Sequence, residues 1–195
     1  LVVGCPSRGD DAATMLRTLA ALAKVDGRVS IFLEPIALYM TKDLHEAGDG
    51  GWLTTYPAQD EAMVLGEGRI YDESADDLVI FTYGNGVPMS LRAARSIEAR
   101  HGWKVRVVDL RWLVPLNEAF IAEQAKSAKR ILIVDEGRHS AGVGEGVITA
   151  IAEAGFGGRP FQRVVGVDTY TPLAGAALLV LPGDDDIVAA ADRLV

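Results

Sequence analysis

The sequence predicts an α/β protein: a three-layer domain built on a mostly parallel sheet, preceded by a truncated β-α-β piece of a second α/β domain. Three observations carry this. Apolar runs of strand length alternate with helix-period stretches along most of the chain. Hydrophobic residues make up 49% of 195 positions, and a chain of this size buries roughly 70% of its unfolded surface, enough for one large or two small cores. Between Pro35 and about Glu73 the alternation lapses into a polar stretch punctuated by Gly48, Gly50, Gly51 and Pro57, which reads as a connection between domains. The boundary is placed near residue 58, giving segments 1–58 and 59–195.

The run LVVGC (1–5) reads as a strand, ended by Pro6 and a candidate capping box of Ser7 with Asp10. The helix that follows carries Ala12, Leu16, Leu19, Ala20 and Ala23 on one face and stops near Asp26-Gly27. VSIFLE (29–34) is the next strand, and the crossover between the two implies a parallel pair. Beyond the connection, DLVIFTYG (77–84) is a strand, Leu91, Ala94 and Ile97 mark a helix, and KVRVVDL (104–110) is a strand. A helix from about Asn117 uses Phe120, Ile121, Ala125 and Ala128, and RILIVDE (130–136) is the next strand. Val143, Val147, Ala150, Ile151 and Ala154 line a further helix, and RVVGVD (163–168) a further strand. The closing helix holds Ile187, Ala191, Leu194 and Val195, with Asp184, Asp185 and Asp186 in its first turn, where the helix dipole favours negative charge.

A net charge of -8 without a basic run argues against nucleic acid and leaves a basic protein partner admissible. No stretch approaches the roughly 20 apolar residues of a membrane span. The opening LVVGCPSRGDD lacks the layout of a secretion signal, so a cytoplasmic protein is expected. Cys5 stands alone and reads as a buried strand residue rather than a nucleophile. His45, His101 and His139 show no metal-ligand spacing.

In an open parallel sheet the functional crevice lies outside the carboxyl ends of the strands. That rule selects Tyr83-Gly84-Asn85-Gly86, Asp109 with Arg111, and Glu136 through Gly146. Within EGRHSAGVGEG, the residues Glu136, Arg138, His139, Gly142 and Gly144 form a candidate anion or interface loop, because exposed amides at a helix start can hold an anion. The spacing is GxGxG rather than GxGxxG, so tight helix-sheet packing is the competing reading of these glycines.

The blocks VRVVDLRWLVPLNEAFI, RILIVDEGRHSAGVGEGVITAI and RVVGVDTYTPLA, with a late DIVAAADRL, resemble the transketolase C-terminal domain. Among its users the chain is most similar to the beta subunit of the decarboxylating component of 2-oxoacid dehydrogenase complexes, the pyruvate and branched-chain group. The leading block, LVVGCPSRGDDAATMLRTLAALAKVDGRVSIFLEPIALY, is similar to the end of that subunit's pyrimidine-binding domain. The match is poorest from Met40 to Ala75.

The resemblance implies thiamine diphosphate and magnesium in the complete enzyme, with decarboxylation of a 2-oxoacid and acyl transfer to a lipoyl arm. The GDG triplet at residues 48–50 resembles the family's metal-binding motif, but the only asparagines, Asn85 and Asn117, lie beyond its spacing, so Asp49 is read as a decoy. The family's catalytic glutamate and histidine map upstream of Leu1, so no catalytic, cofactor-binding or metal-binding residue carries over and no cofactor is expected on this segment alone. The same holds for a monovalent cation held by some relatives near Ala23, Asp26 and Arg28. What remains is assembly: homo- or hetero-oligomerisation with the domains carrying the diphosphate site, on a separate subunit or earlier in a fused chain. Docking of the dihydrolipoyl acyltransferase core through Asp184, Asp185 and Asp186 is a further expectation. The stretch TPLAGAALLVLPG departs from the family pattern, which often has an acidic residue there. Two alternatives stay open: a stand-alone small-anion or protein-binding module of the same fold, and part of a transketolase-type enzyme. The β-α-β start favours the fragment reading, since an independent sheet would leave an edge unpaired.

Overall fold

The computed structural model describes residues 1–195. Strand β1 (Val2–Gly4), helix α1 (Gly9–Val25) and strand β2 (Ser30–Phe32) form the first unit, with Val3 opposite Ile31 in a parallel pair. Then follow β3 (Arg69–Tyr71), β4 (Leu78–Thr82), α2 (Gly86–His101), β5 (Val105–Asp109), β6 (Trp112–Val114), α3 (Glu118–Lys126), β7 (Ile131–Arg138), α4 (Val143–Glu153), β8 (Phe161–Gly166) and α5 (Asp184–Asp192). Strand order is β2-β1-β6 in one sheet and β3-β5-β4-β7-β8 in the other. In the larger sheet only β3 runs antiparallel to its neighbour.

The larger sheet is covered on both faces. Ile80, Val107 and Leu132 pack against Met89, Ala93 and Ile97 of α2 and Ile187 and Ala191 of α5. Phe81, Val108 and Ile133 pack on the other side against Ile121 and Ala125 of α3 and Val147 and Ile151 of α4. Leu78, Val79, Ile80 and Phe81 are all 0% exposed, which is why β4 reads as an unbroken apolar run rather than an alternating one. Each such side chain contributes on the order of 1.5–3 kcal/mol by leaving water.

Two local expectations are corrected. The Ser7–Asp10 capping box does not form: Arg8 is the N-cap of α1, and the Ser7 hydroxyl turns away to donate to Asp109 Oδ2 at 2.5 Å. The Asp10 amide is met instead by Thr54 Oγ1 at 3.1 Å. The inward face of α1 is Asp11, Met15 and Leu19, while Leu16, placed on that face by the sequence pattern, is 52% exposed. An alanine-rich helix offers two apolar stripes, and the long-range partner of Asp11 decides between them.

The sheets meet at the end of β5. Arg111 takes a left-handed conformation at φ 59, and the next residue opens β6, which runs antiparallel to β1. The first sheet thus gains its third strand from within the 59–195 segment. Trp112 packs with Val2, Met15, Leu19 and Met63, so the connection folds back onto the core of the first unit. Trp52 is likewise buried, its Nε1 donating to the Ser7 carbonyl at 3.2 Å and its ring lying 4.7 Å from the Arg8 guanidinium.

Candidate functional site

Strand β4 lies between β5 and β7, and its following helix α2 goes to one face while α4, after β7, goes to the other. The diverging turns open a switch-point crevice at the carboxyl ends, where α/β sheets place their ligands. Here the chain's own side chains span it. Tyr83 donates its hydroxyl to Asp135 Oδ1 at 2.5 Å, and Asn85 Nδ2 donates to Glu136 Oε2 at 2.8 Å. Burial, with the Asp135 carboxylate beside it, holds the Tyr83 phenol protonated far above its usual range. Burial also pushes Glu136 upward.

The glycine loop completes this arrangement. Asp135 is 1% exposed, and its carboxylate accepts the Gly137 amide at 2.7 Å and, in the first turn of α4, the Gly144 amide at 2.9 Å. An internal aspartate therefore occupies the helix N-terminus. A Cβ on Gly142 would fall 2.7 Å from Asp135 Oδ2 and one on Gly144 3.0 Å from Ile133 Cγ2, so both glycines also serve close packing. Arg138 and His139 are exposed. Arg138 and Glu136 line a polar groove of about 250 Å³ with Tyr170, while the His139 carbonyl accepts from Arg163 at 2.8 Å. Asp135 lies one residue outside the stretch that the strand-end rule selects; its signal in the sequence is an aspartate inside the apolar run ILIVDE.

Asp109 and Arg111 meet the first unit. Arg111 donates to Asp11 Oδ1 at 2.6 Å, and Arg69 reaches Asp11 and Asp10 at 3.0 and 2.8 Å. Cys5 follows β1 at the same junction. Burial, reinforced by Asp109 and Glu136, pushes its thiol up to about 12, which leaves it unreactive.

The acidic turn of α5 is partly committed. Arg92 grips Asp184 through two hydrogen bonds, at 2.6 and 2.9 Å, and Asp186 accepts the Gly183 amide at 2.8 Å. Asp185 stays exposed. In the connection, Asp49 accepts four backbone amides, from Leu44, His45, Glu46 and Gly51, at 2.8–2.9 Å. Asp43 takes those of Gly48 and Gly50. The four amides occupy the lone pairs of Asp49, and no group of three or more His, Cys, Asp or Glu is placed to hold a metal.

A family model described as transketolase, C-terminal domain, matches residues 66–185, the crevice included. The chain belongs to the transketolase C-terminal domain family. It is similar to the 3-methyl-2-oxobutanoate dehydrogenase subunit beta of Mycobacterium tuberculosis, 33% identical over 197 residues, covering 100% of this chain and 52% of that protein. It is also similar to the pyruvate dehydrogenase E1 component subunit beta of Staphylococcus aureus, 31% identical over 134 residues, 68% of this chain and 41% of that one. The chain spans about half the length, or less, of these curated relatives. A solved structure titled "Split gene transketolase, inactive beta4 tetramer" superposes with a TM-score of 0.72 over 99% of this chain and 56% of that one, at 22% identity. That likeness is one of fold, and it covers both the transketolase C-terminal domain and the β-α-β unit before it.

Proposed function

We propose that this chain acts as the C-terminal part of a thiamine diphosphate-dependent 2-oxoacid dehydrogenase, serving subunit assembly and partner docking. The observation that carries the reading is the similarity to a dehydrogenase beta subunit along the whole chain rather than along one motif. The geometry agrees with a supporting role. The crevice carboxylates are spent on the fold, and the residues present do not fit a magnesium diphosphate, since Asp49 is saturated by four amides and no cluster of three possible metal ligands forms. Cofactor and metal are therefore assigned to the remainder of the enzyme.

Assembly surfaces are available. Tyr170, Leu173, Leu178 and Leu179 are each at least 80% exposed, and exposed apolar side chains gathered in one segment suit a protein-protein contact. Asp185 is the free acid of the α5 turn, suited to steer a basic acyltransferase domain. No helix is long and apolar enough to cross a membrane, and we place the enzyme in the cytoplasm.

The test is reconstitution. The chain is assayed for decarboxylation of pyruvate and of 3-methyl-2-oxobutanoate, with thiamine diphosphate and magnesium, first alone and then with the polypeptides supplying the rest of the enzyme. Turnover that needs both parts supports the reading. Full activity of the chain alone, or reconstituted activity that is the same without it, overturns it.

A further inference from the structure

The joint between the two units holds two buried carboxylates and one buried guanidinium. Asp11, Asp109 and Arg111 are 2%, 0% and 7% exposed. Arg111 is committed to Asp11 at 2.6 Å. Asp109 has no cation of its own: Oδ2 takes the Ser7 hydroxyl at 2.5 Å and Oδ1 the Arg111 backbone amide at 3.1 Å. Arg69 and Arg8 reach Asp10 and Asp11 from the more exposed rim. An isolated buried carboxylate is costly as an anion and is relieved by taking up a proton.

We propose that the joint between the β1–α1 turn and the larger sheet is closed while the buried Asp109 carries a proton, and loosens when that proton is lost. The groups around Asp109 support this from every side. The β1 end presents the Cys5 thiol, pushed upward by burial and Asp109. From α1 comes the carboxylate of Asp11, itself raised by burial despite Arg111 and Arg69. The neighbouring strands add the Tyr71 phenol, raised by burial and Asp109, and Thr82, which pairs with Asp109 and whose hydroxyl is unpartnered. The nearby cations are engaged elsewhere: Arg69, opposite Asp109 on β3, reaches Asp10 and Asp11, and Arg111 reaches Asp11. Burial, with the Asp11 carboxylate beside it, raises Asp109 to about 7 from the ordinary 3.8, against the opposing pull of the Ser7 hydroxyl and of the Arg111 charge and amide.

The folded value lies above the unfolded one, so the stabilisation is complete below the ordinary carboxylate pKa and is lost as pH rises through the folded value. The joint is also where strands change sheets: the Cys5 amide donates to the Arg111 carbonyl at 2.7 Å, beside the β1–β6 pair. Loosening should therefore show in these amides and in α1 before the larger sheet.

The experiment is hydrogen exchange of the 195-residue chain across about pH 5 to 8, expressed as protection factors, with Asp109→Asn as the permanently neutral variant. Protection at Cys5, β6 and the first turn of α1 should fall about tenfold per pH unit up to about pH 7 and then level off, while Leu132 and Ile133 keep theirs. In Asp109→Asn the part of the dependence that levels off near pH 7 should vanish, leaving only the contribution of Asp11. Ser7→Ala, which removes a bond favouring the anion, should move the levelling point to higher pH and serves if the asparagine variant does not fold. Flat protection in the parent chain, an unchanged slope in Asp109→Asn, or an unmoved levelling point in Ser7→Ala overturns the proposal.

Discussion

Asp135 and Gly144 face each other at 2.9 Å, carboxylate to backbone amide, at the start of α4. The same carboxylate holds Tyr83 at 2.5 Å and the Gly137 amide at 2.7 Å. Asp135→Ala leaves these donors buried without a partner, and a broken buried charge network of this kind costs about 3–5 kcal/mol. Tyr83→Phe, which removes one bond, should cost about 1–2 kcal/mol. Urea denaturation followed by circular dichroism measures both; equal losses would mean that the amides find water instead.

Gly142→Ala tests the packing side of the same loop. Its Cβ would meet Asp135 Oδ2 at 2.7 Å and the Arg138 carbonyl at 3.0 Å, and backbone cannot swing away as a side chain can. A loss of about 1–3 kcal/mol is expected. By contrast Gly158→Ala, with open space around it, should stay within about 0.5 kcal/mol. Thermal melts of the two variants side by side give the contrast.

How far the sequence shows this follows from where each constraint lies. Strands β4, β5 and β7 are covered on both faces, so their apolar runs are visible one residue at a time. The three-residue antiparallel strands β3 and β6 are too short to show a period. The inward face of α1 is not legible locally, because Asp11 turns inward to meet Arg111, a partner 100 positions away that no local pattern can announce. For the site, the strand-end rule finds Tyr83, Asn85, Asp109, Arg111 and Glu136, but not that Ser7, Asp11 and Asp135 close over them. Those contacts join different strands, turns and units, and only the fold brings them together.

Asp49 provides a pH prediction. Its four amide donors hold the carboxyl well below the ordinary range, so the stabilisation of the 43–51 loop is present above the unfolded pKa and lost as pH falls through the folded one. Carboxyl-carbon NMR should show Asp49 still ionised where the other aspartates have begun to protonate. Asp49→Ala should make the loop sensitive to protease at neutral pH without shifting the melting of the larger sheet, and added magnesium should not protect it.

The acidic turn of α5 separates into roles. A double-mutant cycle on Arg92 and Asp184, a bidentate pair whose side chains are 35% and 37% exposed, should give a coupling of about 0.5–1 kcal/mol that shrinks with salt. Asp185→Asn should leave stability unchanged within about 0.5 kcal/mol. If it weakens capture of a basic acyltransferase domain, it does so by slowing association, which stopped-flow at two ionic strengths resolves.

The most direct measurement of the supporting role assigned to this chain is calorimetric titration with thiamine diphosphate and magnesium. A saturated Asp49 and a crevice spanned by Tyr83–Asp135 and Asn85–Glu136 predict no saturable heat from the chain alone. A stoichiometric, magnesium-dependent isotherm would contradict this, and its loss in Asp49→Ala would show that the GDG aspartate is a ligand after all.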